Sequence, residues 1–171
     1  MNNPLLTKST LPYGAPQFDK IENQHYIPAF KKAIEEGKAE IDAIVNNPDT
    51  PSFENTIEAL EYAGGTLSRI SHIFYNLLEA NTNEEMQNIA EVISPLTTEF
   101  AMYVSLNDGL FQRVKQIYDI MDNLKQTAEE KRLIEKTYDS FARNGANLSS
   151  KDKEIYSKYM EELSLLSLQF G

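Results

Sequence analysis

From Ile27 onward the apolar residues return with the period of an α-helix, and this limits the possible folds more than any other feature of the chain. At about 100° per residue, Ile27, Phe30, Ala33, Ile34, Gly37, Ile41, Ile44 and Val45 share an arc of about 120°. Lys31, Lys32, Glu35, Glu36, Lys38, Glu40 and Asp42 lie outside it. A segment patterned in this way buries one stripe and wets the other. Pro28 suits its first turn, where the missing N–H has no intrahelical acceptor, and Asn46-Asn47-Pro48 ends it. Gly37 lies inside the stripe, which predicts close approach by a neighbouring helix.

The same grammar continues. Thr50-Pro51-Ser52-Phe53 offers a capping hydroxyl with Pro in the entry turn. Ile57, Leu60, Ala63, Leu67, Ile70, Phe74 and Leu78 then hold one phase through Gly64-Gly65. That continuity favours one long helix, with a hinge at the two glycines as the alternative. Thr82-Asn83-Glu84-Glu85 reads as a capping box, with Thr82 accepting from the Glu85 N–H. Ser94-Pro95 should kink or divide the helix that follows. Asn107 can cap a helix running to about Met121, and Thr127-Ala128-Glu129-Glu130 opens another that ends at Asn144-Gly145. Ser149 or Ser150 starts the last. No segment alternates with period 2, so the fold class expected is all-α, with six or seven amphipathic helices. Residues 1–24 hold Pro4, Pro12, Gly14 and Pro16 without periodicity and read as an extended arm lying on something. Residues 25–171 read as the helical domain.

At the far end, Ile155, Tyr156, Tyr159, Leu163, Leu166 and Phe170 form one face, whereas Leu165 and Leu168 point away from it. A helix apolar on two sides expects cover on both. Two readings stay open: more protein packs there, or these are scattered surface leucines with Gly171 as a simple stop.

A chain of 171 residues is long enough for one domain with its own core. Its 16 Lys plus Arg against 26 Asp plus Glu give a net charge of −10, which repels nucleic acid and anionic membranes. There is no cysteine, so disulfides, Cys-ligated zinc and thiol nucleophiles are excluded together. Met1-Asn2-Asn3-Pro4-Leu5-Leu6 lacks the basic start and apolar run of a signal peptide, which makes the cytoplasm the expected location unless a leader has been removed.

The chemistry expected of this chain alone is sparse. A helical zinc site needs H-E-x-x-H, and the two histidines, His25 and His72, are far apart with no Glu after either. Glu22-x-x-His25 matches the E-x-x-H of di-iron bundles, but it lacks a second copy and sits ahead of Pro28, so chance explains it. His72 falls on a polar face with Glu58, Glu61 and Glu79. No phosphate-binding glycine loop is present. The nine Tyr and eight Phe fall mostly on apolar stripes, although Tyr75 and Tyr103 could line a groove. No catalytic, cofactor-binding or metal-binding residue is assigned.

A family pattern nevertheless runs through the chain. It consists of Asn3-Pro4-Leu5-Leu6, Leu11-Pro12 to Ile21, His25-Tyr26-Ile27-Pro28-Ala29-Phe30, and Pro51 to Ile57. It continues with Phe74-Tyr75-Asn76-Leu77, Ala80-Asn81-Thr82-Asn83, Tyr138-Asp139-Ser140-Phe141 with Gly145-Ala146 and Leu148, and Glu162-Leu163 to Phe170. In order and spacing these resemble the start of the thimet oligopeptidase family of zinc peptidases. The Phe-x-Asn-Leu and Ala-Asn-Thr-Asn stretches look most like its bacterial peptidyl-dipeptidases. The resemblance implies an amino-terminal helical domain that continues beyond this sequence, where the zinc-binding motif and substrate-binding residues would lie. This chain would then form scaffold and one wall of a channel for short peptides, with zinc held in the parent enzyme and none here. The implied partners are the catalytic part of the same polypeptide and short peptide substrates. Endopeptidase activity of the oligopeptidase type is an alternative, as is a self-contained helical module that binds a peptide or a partner protein.

Overall fold

The structure, a computed structural model, describes residues 3–170, and among these residues it contains helices and no β-strand. Gly171 and the first two residues of the amino-terminal stretch lie outside the described residues. The α-helical segments are α1 (Tyr26–Val45), α2 (Ala59–Tyr62), α3 (Gly65–Ala80), α4 (Glu84–Ser105), α5 (Asp108–Ile120), α6 (Ala128–Arg143) and α7 (Ser150–Phe170). The all-α class read from the periodicity is the class observed.

Two apolar clusters lean on α1. Its first half sends Tyr26, Ala29, Phe30, Ala33 and Ile34 into a core completed by Leu5, α3 and the start of α4. Phe74 of α3 sits edge-on to Tyr26 and Phe30, with ring centroids 4.8 Å and 5.8 Å away. The second half of α1 sends Ile41 and Ile44 into another core, shared with Phe53, Ile57, α5 and α6. There Tyr138 stacks on Tyr118 at 4.0 Å and on Phe111 at 5.8 Å.

Gly37 lies between the two halves, and the close approach its position predicts is present. A Cβ built there would come within 2.8 Å of the Phe100 ring of α4, and 3.6 Å from the Cα of Gly64. Only a residue without a side chain leaves room for that ring.

The unbroken phase through Gly64-Gly65 predicts one helix, and here the alternative hinge is what forms. The chain enters Phe53–Glu58 as a π-helical turn, continues as α2, and breaks at Ala63. Gly64 takes a left-handed backbone (φ 73°, ψ 14°), which a side chain would disfavour by roughly 1–2 kcal/mol. Its N–H donates to Glu40 Oε2 of α1 at 2.7 Å, so the break is held from outside. The phase survives because the segments on both sides of the break rest on the same helix.

Several caps fall where the sequence places them. Asn107 Oδ1 accepts from the Leu110 N–H at 2.9 Å. Thr127 and Glu130 exchange both bonds of a capping box, at 3.2 Å and 2.8 Å. Gly145 takes the positive φ (90°) that follows α6, and Ser149 Oγ accepts from the Asp152 N–H at 3.2 Å. Two details differ. At α4 the cap is Asn83, accepting from the Met86 N–H at 2.9 Å, and not Thr82. Glu85 is free of the expected box because its carboxylate accepts from the Asn23 amide at 2.7 Å. Pro95 does not divide α4: the carbonyl that loses its donor belongs to Glu91, an exposed residue where solvent replaces the bond.

The arm folds back onto the helices through short 3₁₀ turns. Leu5 is almost fully buried in the first core, Arg69 donates to the Leu5 carbonyl at 2.7 Å, and the Asn3 amide donates to the His25 carbonyl at 2.8 Å.

The Gly37 packing gives a direct test. Gly37→Leu is expected to lower stability by about 1–3 kcal/mol in urea unfolding, the usual penalty for overpacking. Shortening the opposing ring by Phe100→Ala in the same chain should recover part of that loss.

Candidate functional surfaces

Glu22-x-x-His25, the one E-x-x-H match, resolves into a local turn. The Glu22 N–H donates to His25 Nδ1 at 3.0 Å, and the Glu22 carboxylate pairs with the Gln24 amide. His72 is exposed, and its carbonyl accepts from the Asn76 amide at 2.6 Å. Among the described residues no three His, Asp or Glu side chains come together as a metal site.

The strongest polar constellation surrounds Arg113 of α5, and the sequence patterns gave no hint of it. The residue is buried, yet among the described residues it faces no carboxylate partner. Its guanidinium donates to the Asn47 carbonyl at 2.9 Å, the Asp49 carbonyl at 3.3 Å, Asn55 Oδ1 at 3.1 Å and Thr56 Oγ1 at 3.2 Å. It thereby fixes the connection between α1 and the π-helical turn. The planar five-donor fork of Arg suits several diverging oxygens, as Lys could not. Ser52 caps the same turn, accepting from the Asn55 N–H at 3.2 Å, so the capping hydroxyl of the Thr50–Phe53 signal is Ser52. Beside this turn a groove of about 410 Å³ runs between α1 and α2, lined by Glu40, Ala43, Asn47, Asn55, Ala59 and Tyr62.

The two tyrosines considered for a groove are committed elsewhere. Tyr75 packs edge-on to Phe74, with centroids 5.2 Å apart, and burial pushes its hydroxyl above the ordinary value against an opposing hydrogen bond with Thr97. Tyr103 of α4 donates to Asp42 of α1, and that bond, with smaller help from burial, raises its pKa too. Lys38 spans the same α1–α4 seam, 2.8 Å from Glu99 and 5.3 Å from the centre of the Tyr103 ring.

The last helix departs from its expected orientation. α7 packs along α4, and Lys153 at its start donates to the Leu106 carbonyl at 3.1 Å. Leu168, on the side away from the Tyr159–Phe170 face, packs against the first core. The apolar face expected to be buried is the outer one: Tyr159 is 67% exposed, Leu163 53% and Phe170 91%.

Two measurements follow. Arg113→Met should cost roughly 2–4 kcal/mol in urea unfolding, because it strands buried acceptors, and Arg113→Lys should not restore it. Tyr26, Tyr75 and Tyr103 all have raised pKa values, so the folded state keeps protons that the unfolded chain loses above 10.0. Their contribution is complete below pH 10.0 and is lost as pH rises through the folded values. Unfolding free energy followed by circular dichroism should thus decline above that pH, and less steeply in Tyr103→Phe.

No family model matches the chain. Over 169 residues, 99% of this chain, it is 40% identical to the dipeptidyl carboxypeptidase of Escherichia coli (strain K12), covering 25% of that protein. The dipeptidyl carboxypeptidase of Salmonella typhimurium is 38% identical over the same share of both chains. Oligopeptidase A of Salmonella typhimurium is 26% identical over 171 residues, all of this chain and 25% of that protein. The chain therefore spans about a quarter of the length of the relatives it matches. Along its whole length the chain is similar to the amino-terminal part of these peptidases, which fits the start of a thimet-like peptidase.

Proposed function

We propose that this chain is the amino-terminal scaffold of a zinc peptidyl-dipeptidase and supplies one wall of its substrate channel. Residues 1–24 act as a tethered arm and residues 25–171 as a helical domain. The observation that carries this reading is the whole-length similarity to dipeptidyl carboxypeptidase at 40% identity, well above the 26% to oligopeptidase A. The zinc, which in such an enzyme polarises the peptide carbonyl and activates water, and the residues that hold it belong to the other three quarters. This chain's share is mechanical. Two cores on one helix, with the α1 connection clamped by Arg113, give a stiff wall whose shape limits which peptides enter. The parent enzyme acts in the cytoplasm on short peptides. No helix among the described residues is long and apolar enough to cross a membrane.

The test joins this chain to the remaining three quarters of the Escherichia coli dipeptidyl carboxypeptidase, replacing the matching quarter. With zinc, the hybrid should release carboxy-terminal dipeptides from a blocked tetrapeptide, and the 171-residue chain alone should release none. Internal cleavage without dipeptide release would assign endopeptidase activity. Zinc-dependent cleavage by the isolated chain would sink the scaffold reading outright, and a folded hybrid with no activity would sink it in favour of a self-contained binding module.

A further inference from the structure

The two sides of α7 are distributed against burial. Lys153, Ser157, Met160, Ser164 and Leu168 are its partly covered residues, on the side that meets α4. The small serines let the two helices run close together. Across the helix, Tyr156, Tyr159, Leu163, Leu166 and Phe170 recur at alternating intervals of three and four residues. That alternation is the a/d spacing of a seam between two helices packed knobs-into-holes. Tyr156 is half-covered at its edge, while Leu166 is 43% exposed and the others more so. Isolated exposed leucines are ordinary, but a continuous stripe over more than two heptads marks a contact surface.

The spacing and the lengths of the relatives identify the occupant. A period-3.5 seam is complementary to another amphipathic helix with the same repeat, crossing at a shallow angle, and not to an extended peptide. About three quarters of each dipeptidyl carboxypeptidase lies outside the part matched here, which is ample to supply one. A second copy of this chain is a poorer fit, because each copy brings a net charge of −10. We infer that the outer face of α7 seats an amphipathic helix from the catalytic three quarters of the parent peptidase, making α7 a contact between the two parts. This rests on the scaffold reading above.

Because the chain has no cysteine, single thiols can report the contact. Leu163→Cys places one on the seam, and Ile120→Cys places one on α5 at a site that is 46% exposed. In the isolated chain both should react with a maleimide at similar rates. In the hybrid with the Escherichia coli catalytic part, L163C should slow by on the order of tenfold or more, located by peptide mass mapping, while I120C stays unchanged. Equal rates in the hybrid overturn the proposal. Slow L163C labelling in the isolated chain, with a doubled mass by light scattering, assigns the seam to a second copy and also overturns it. Should the hybrid not fold, the same two substitutions at the aligned positions of intact Escherichia coli dipeptidyl carboxypeptidase make the same measurement. Peptide cleavage separates the two ideas: an active hybrid with fast L163C labelling removes the seam and keeps the scaffold, and an inactive hybrid with protected L163C does the reverse.

Discussion

Everything in this domain depends on one helix serving two cores. α1 gives its first half to the cluster around Phe74 and its second half to the cluster around Val114 and Ile134, and Gly37 marks the crossing point. At that point the missing side chain admits the Phe100 ring, bringing α4 against α1, and lets the Gly64 backbone pass close by. A single Cβ there would collide with the Phe100 ring and meet the Gly64 backbone at ordinary contact distance. The polar contacts between α1 and α4, Lys38 with Glu99 and Tyr103 with Asp42, lie on the same seam and depend on the spacing that Gly37 permits. They are partly exposed, so they register the approach of the helices more than they cause it.

The legible parts of the fold were those determined within a few residues. The buried stripe of α1, the Asn107 cap, the Thr127–Glu130 box and the turn at Gly145 are local decisions, and each depends on neighbours in sequence. What was not legible depends on distant residues. The break at Gly64 is held by Glu40, and Glu85 is drawn from a cap by Asn23 of the arm. At α4 the expected cap, Thr82, gives way to its neighbour Asn83, a residue type that caps somewhat better than Thr. The faces of α7 resist assignment from periodicity for a related reason. Hydrophobicity says that a stripe wants cover but not from which protein part, and here the domain's own neighbour takes the side with small residues.

The sites show the same division. Glu22 and His25 satisfy one another across a turn, which a spacing rule reads as a fragment of a metal motif. Arg113 carries the densest polar network found around any one side chain described here, yet it stands in the sequence as an ordinary charged residue between Gln112 and Val114. Its importance comes from four oxygens that only the folded connection brings together. The family pattern was legible for a different reason: it is spread thinly over the whole chain, so its order survives although no piece of it is distinctive.

The Arg113 clamp also orders events in time. Its acceptors lie 57 to 66 residues back along the chain, so closing this contact requires a large loop to be gathered first. The connection from Asn47 to Thr56 has no set of acceptors waiting in a fixed shape until α5 has docked on α1. Docking of α5 and setting of that connection are therefore one event. In a chain made from its amino terminus, the groove beside α2 acquires its final outline only once the polypeptide beyond Arg113 has emerged.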